Sequence, residues 1–232
     1  MFGSHAFGRS INLFNAEIKT YEDAGLYLYH RISDHEITKV LSSASNLIIH
    51  PVEPVTQPKE ITHYLLVELK KSIFLAPQST SRYFITFPIE VSIYISIKKN
   101  IEQIDSFTFT KPKYTLYGTP AHGPICKFWK SEVYSKIPDV NPYLEGVMKV
   151  KIQNTSSGWA ELQKMVFNAY YMKIFYSNFA CMNAVVKIQN NGARTSFVEK
   201  PISDGMKKAL ELYKLRKIPI VEKEEFVMEW GL

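Results

Sequence analysis

The chain has 232 residues, 46% of them hydrophobic and 13% aromatic, with a formal charge of +6 and a pI near 9.1. A chain of this length buries a core without disulfide or metal staples, and no apolar run approaches the ~20 residues of a membrane-spanning helix. The basic excess is spread out, and its longest runs are pairs such as Lys70-Lys71 and Lys98-Lys99, which argues against a dense nucleic-acid footprint. The two cysteines, Cys126 and Cys181, form no Cys-x-x-Cys pair and read as reduced thiols of a cytoplasmic protein. The opening MFGSHAFGRS lacks the apolar core of a signal peptide.

Taken along the chain, period-two patterning dominates. Short strands are expected near 11–18, 26–32, 36–41 and 46–50. Pro51, Pro54 and Pro58 then mark an extended segment unsuited to a central strand. Further strands are expected at 63–70 and 82–87. Residues 89–98 alternate cleanly, Ile89, Val91, Ile93, Ile95 and Ile97 against Glu90, Ser92, Tyr94, Ser96 and Lys98, so one face meets a core and the other is wetter. Strands at 104–109, 113–117, 125–129, 146–152, 182–188 and 193–199 complete about a dozen, a count built on alternation. Asn191-Gly192 between the last two is a strong hairpin signal. Residues 159–176 fit either a helix or two strands, and their β flanks favour strands.

One amphipathic helix is expected near the C-terminal end. Pro201 precedes a Ser203-Asp204 cap, and Met206, Ala209, Leu210 and Tyr213 follow at helical spacing. Pro219 would end it, and the apolar tail Phe226 to Leu232 would dock on the body or pair across a homodimer axis. The predicted architecture is therefore all-β: an antiparallel sandwich spanning 1–200, as one body or as two packed lobes (1–103 and 104–200), with a helix and tail at 201–232.

The densest chemistry lies in KYTLYGTPAHGPICKFWK at 113–130. Gly and Pro shape a loop there, and polar-tipped aromatics beside it are costly to bury unpaired. Tyr114, Tyr117, Gly118, His122, Lys127 and Trp129 form the candidate binding surface. In it the loop shapes the site, the aromatics supply contact area and Lys127 attracts an anionic group. His122 with Cys126 would make a catalytic dyad, but a thiol in an alternating run usually points into a core. The six histidines show no paired metal-ligand spacing, and His50 with Glu53 is only a weak cation site. Glu53, Glu68, Glu90 and Asp105 flank strands and would serve as acid and base only if folding brought them together; alone, Glu90 reads as a solvated or salt-bridged side chain. No phosphate-binding loop is present. No catalytic residue, metal or cofactor is assigned.

The opening MFGS, HPVEP at 50–54, FPIE at 87–90, KYTLYGTPAHGPICKFW at 113–129 and SEVYS at 131–135 resemble, in this order, a family of uncharacterised archaeal proteins, domain of unknown function 432. The resemblance spans nearly the whole chain and implies a cytoplasmic, archaeal-type protein with no activity to carry over. The expected function is a non-enzymatic binding or accessory module for a small ligand or protein partner. Two alternatives stay open: a β-sandwich hydrolase acting on a carbohydrate or phosphoester, and single-stranded nucleic-acid binding.

Overall fold

A computed structural model describes residues 2–43, 46–55, 61–97, 100–212 and 225–232. The first stretch holds β1 (Gly3–His5), β2 (Ser10–Leu13), β3 (Ala16–Asp23), β4 (Leu26–Ile32) and β5 (Ile37–Leu41). The middle holds β6 (Leu47–Val52), β7 (Tyr64–Leu75), β8 (Ser79–Pro88), β9 (Glu90–Ile97), β10 (Asn100–Phe107), β11 (Tyr114–Leu116) and β12 (Ile125–Ser131). Then come β13 (Glu145–Asn154), β14 (Ala160–Asn168), β15 (Phe175–Tyr176), β16 (Ala180–Gln189), β17 (Gly192–Val198), β18 (Lys207–Lys208) and β19 (Phe226–Met228).

These strands form four sheets rather than the two of a simple sandwich. Two sheets, β2-β3-β4-β5 and β1-β6-β9-β10, enclose a compact core of Leu13, Ile18, Tyr29, Leu47, Ile49, Val91 and Ile93. The other two, β11-β12-β7-β14 and the larger sheet around β8, β13, β16 and β17, enclose the main core, with Leu65, Val67, Met148, Val150, Met165 and Val186 among its buried residues. Most pairings are antiparallel, but β12 runs parallel to β7 and β13 parallel to β16. The chain is thus mainly β, as its alternation predicts.

Residues 159–176 form β14 and β15, joined by a single 3-10 turn at Ala169–Tyr171. The β16–β17 hairpin is present, and Gly192 (φ +128°) allows Met228 of β19 to lie where a Cβ would meet its carbonyl at 2.2 Å. Pro51 proves compatible with a strand: it lies in β6, beyond the Gly3–Ile49 end of β1, where only β9 pairs with it. Pro58 and Lys98 lie outside the described residues.

The expected C-terminal helix is not supported over its described residues 203–211. Residues 203–211 are bends, turn and extended chain, and Lys207–Lys208 is a short strand paired with β15. Its apolar positions have another use. Leu212 packs with Val52 and Tyr94 on the outer face of β6 and β9, Leu210 beside it, while Glu211 turns to Lys173 and Lys208. In this strap Ala209, Glu211 and Leu212 are buried and Leu210 half-buried, so Ala209 and Leu210, two of the residues that suggested a helical face, pack from a non-helical segment. The remainder of that predicted helix, from Tyr213 to Lys217, lies outside the described residues.

This strap explains a second departure. The wetter face predicted for β9 is dry: Glu90, Ser92 and Tyr94 are at most 1% exposed. Both faces of β9 are covered, one by the compact core and one by the strap and by Lys127.

Candidate functional site

The loop at 117–124 is built by its own backbone. Tyr117 N–H donates to Pro124 O at 3.0 Å, and His122 and Gly123 N–H both donate to Thr119 O. Gly118 sits at φ +101°, where a Cβ would stand 2.7 Å from the Trp230 ring. The Tyr117 hydroxyl donates to Gly231 O at 2.8 Å and accepts from Trp230 N–H at 3.2 Å. Tyr117 and Gly118 are therefore the seat of the C-terminal segment, beside a groove of about 370 Å³ that Trp230, Leu66 and Lys164 help to line.

The other residues of the predicted surface point elsewhere. His122 is exposed at the turn, and Tyr114 is half-buried in β11. Lys127 is buried, with Nζ 2.9 Å from Glu90 Oε1. The Trp129 indole N–H donates to Thr86 Oγ1 at 3.0 Å while the ring packs on the main core. Cys126 is fully buried, and burial pushes its thiol up to about 12, so it is no thiolate at neutral pH. The six residues thus divide between a tail seat, an exposed turn and the core edge.

A large concavity lies on the other half of the molecule. A cleft of about 870 Å³ opens between β4–β5 and the segment 103–112. Its floor is a fixed network: Tyr29 Oη donates to Asp105 Oδ2 at 2.7 Å, Arg31 Nε donates to the same oxygen at 2.6 Å, and Arg31 lies 4.5 Å over the Phe107 ring. Burial first, and Asp105 second, raise the Tyr29 phenol, which therefore stays a donor. Phe109, Ile37 and Lys111 complete the walls. Thr108, Thr110, Lys111 and Pro112 also line a small inner pocket of about 20 Å³ that ends on Glu90, Lys127 and Trp129.

Behind that pocket lies the most unusual electrostatics of the protein. The turn after β6 carries Glu53, 2% exposed, with Val52 directly opposite Glu90 in the β6–β9 register. Glu53 Oε2 accepts the Leu212 N–H at 3.3 Å, whereas Oε1 has no partner among the described residues. Burial pushes this carboxyl up to about 8, and the negative Glu211 and Glu90 add to the shift. His50, three residues earlier, accepts the Leu210 N–H on Nδ1 at 3.1 Å and meets the Tyr176 hydroxyl through Nε2 at 2.9 Å. Burial lowers its imidazole to about 4. Because Nδ1 accepts, the proton of the neutral ring sits on Nε2 and faces Tyr176.

Glu53 and Glu90 are thus brought together, as acid–base chemistry requires, while His122 sits on its exposed turn. The sequence signals for this cluster are the His50–Glu53 spacing and the place of Glu53 and Glu90 beside strands. Alternation placed Glu90 outward, and the strap that buries it comes from over a hundred residues away.

Among the described residues no helix is long and apolar enough to cross a membrane. Fold and sites together define a mainly-β protein with two cores, an open cleft and a buried acid cluster. The chain belongs to the family described as "Protein of unknown function (DUF432)", whose model matches residues 1–229. Comparison with curated proteins and with solved structures gave no match.

Proposed function

We propose that this protein is a non-enzymatic binding module whose small ligand enters the cleft between β4–β5 and residues 103–112. One observation carries the reading: an 870 Å³ concavity on a floor locked by Tyr29, Arg31 and Asp105, with aromatic and polar walls. A site whose walls are already hydrogen-bonded loses little order when a ligand binds. No described residue forms an ion pair with Lys111 or Lys113, so an anionic group on the ligand has two uncommitted cations at the inner end. Lys127 and Trp129 border that end, which keeps this part of the surface expected from sequence in the reading. Tyr117 and Gly118 serve the C-terminal segment instead. A thermal-shift panel of phosphate, pyrophosphate, citrate and neutral sugars tests the proposal. An anion should raise the melting temperature of the wild type and not of Lys111→Glu; equal shifts in both proteins reject the cleft.

The Glu53–Glu90 pair favours a second reading, hydrolysis of a carbohydrate or phosphoester. Neighbouring carboxyls in unlike environments are the arrangement from which a proton donor and a base are made. Glu53 is largely protonated at pH 7, with one free oxygen, and Glu90 is bound to Lys127. Chromogenic glycosides and phosphoesters test it: turnover abolished by Glu53→Gln supports hydrolysis, and no turnover by the wild type on any of them discards it.

A further inference from the structure

The strap at 209–212 is held by a distinctive set of contacts. Ala209 N–H donates to Ile174 O at 2.9 Å, an ordinary backbone bond. Two further amides of the strap go to side chains instead, Leu210 N–H to His50 Nδ1 and Leu212 N–H to Glu53 Oε2. Two ionisable side chains, both buried, thus accept amides two residues apart in one segment. Leu212 closes the contact over Val52 and Tyr94.

We propose that residues 209–212 are a latch on the outer face of β6 and β9, closed when His50 and Glu53 are both uncharged and loosened when either one ionises. The chemistry differs at the two ends. A proton added at His50 Nδ1 removes the lone pair that receives Leu210 and sets two N–H groups against each other. A proton removed from Glu53 leaves a carboxylate beneath the strap, with Glu90 of β9 on one side and Glu211 of the strap on the other. Lifting the strap brings that charge to water and moves Glu211 away.

The surrounding charged and titratable groups leave these two as the hinge of the behaviour. Glu90 is held by Lys127, and Glu211 lies between Lys173 at 3.0 Å and Lys208 at 2.7 Å. Tyr176 faces His50, and burial raises its phenol, so it stays neutral over the range concerned. Tyr94 presents its ring edge to His50 with centroids 6.1 Å apart.

The signs give a particular pH profile. The Glu53 carboxyl lies near 8 when covered and 4.5 when free, so its support for closure is full below 4.5 and falls as pH rises to 8. The His50 imidazole lies near 4 when covered and 6.5 when free, so its support is full above 6.5 and falls as pH drops to 4. Between 4.5 and 6.5 the two slopes cancel. The latch therefore holds a plateau there and weakens above about 6.5 and below about 4.5.

Hydrogen exchange of the Leu210 and Leu212 amides, corrected for intrinsic rates, reads this directly. From pH 6.5 to 8 their protection should fall by up to about thirtyfold, at most one decade per pH unit, and should stay well below that of the Val150 amide in β13, whose exchange requires opening of the main core. Glu53→Gln, which cannot ionise, should abolish that fall. His50→Asn, which places a carbonyl oxygen near the Nδ1 position, should abolish the loss below 4.5. Flat wild-type protection from 6.5 to 8 overturns the latch. So does protection at Leu210 and Leu212 equal to that at Val150, which would mean that the segment opens only with the whole fold. Were Glu53→Gln unable to fold, the contrast between Leu212 and Val150 in the wild type would still decide.

Discussion

Asp105 and Glu53 are both carboxyls buried beside a strand of the same sheet, and they are treated in opposite ways. Asp105 receives the Tyr29 hydroxyl and the Arg31 guanidinium on one oxygen and the Ser106 N–H, at 2.9 Å, on the other. Among the other described residues Glu53 accepts only the long Leu212 N–H bond, and it has two other carboxylates for neighbours. Both acids are buried, so what sets them apart is the set of donors around each. Asp105 belongs to a rigid floor. Glu53 is a group whose proton the fold must hold in place.

Removing Asp105 breaks the comparison most severely. Asp105→Ala leaves Arg31 buried at 5% exposure without its carboxylate, and should cost about 3–5 kcal/mol by urea unfolding at pH 7. Asp105→Asn keeps an acceptor and should cost less. If both variants matched the wild type, the network would have no structural role.

Glu53→Gln should act in the other direction. Since burial raises this carboxyl to about 8, the Glu53 contribution to wild-type stability declines as pH rises from 4.5 towards 8, and the neutral amide escapes that decline. The variant should exceed the wild type by roughly 1–3 kcal/mol at pH 8.5 and lie within about 0.5 kcal/mol of it at pH 4.5. A variant less stable than the wild type at both values would show that Glu53 acts as an anion.

A smaller effect is expected at the tail seat, which involves no buried charge. Gly118→Ala forces a side chain into positive φ and against Trp230, so it should cost about 1–2 kcal/mol and raise exchange at Trp230. Gly25→Ala has a similar φ of +79° but open space around it, and should cost less. Equal costs would mean that the Trp230 contact adds nothing.

Both carboxyls show where sequence reading stops. Strand parity put Val91, Ile93 and Ile95 on one face correctly, because an alternating ribbon has only two faces. Parity does not say what covers the second face. For β9 that cover is Leu212 and Lys127, each brought by a distant segment, so Glu90 was assigned to solvent. The parallel β7–β12 and β13–β16 pairs were illegible for the same reason, since no hairpin joins them. The strap reads as helix in the sequence because Met206, Ala209 and Leu210 suit a helical face as well as a segment whose partner is unseen. At the candidate surface, aromatic and glycine content marked Tyr117 and Gly118 as special. Their purpose was invisible until Trp230, over a hundred residues on, was found seated on them.

The exposed limit sharpens the contrast between Asp105 and Glu53. Glu225 also has a basic partner, with Arg194 Nη1 at 3.2 Å across the β17–β19 edge, but both side chains are about half exposed. Water already solvates each charge, so pairing gains little and its loss strands nothing. Glu225→Gln should therefore change unfolding free energy by no more than about 0.5 kcal/mol, and any change should shrink as salt is added. A loss approaching that of Asp105→Ala would mean that pairing, rather than the desolvation of the partner left behind, sets the cost, and the distinction between the two buried acids would have to be argued from geometry alone.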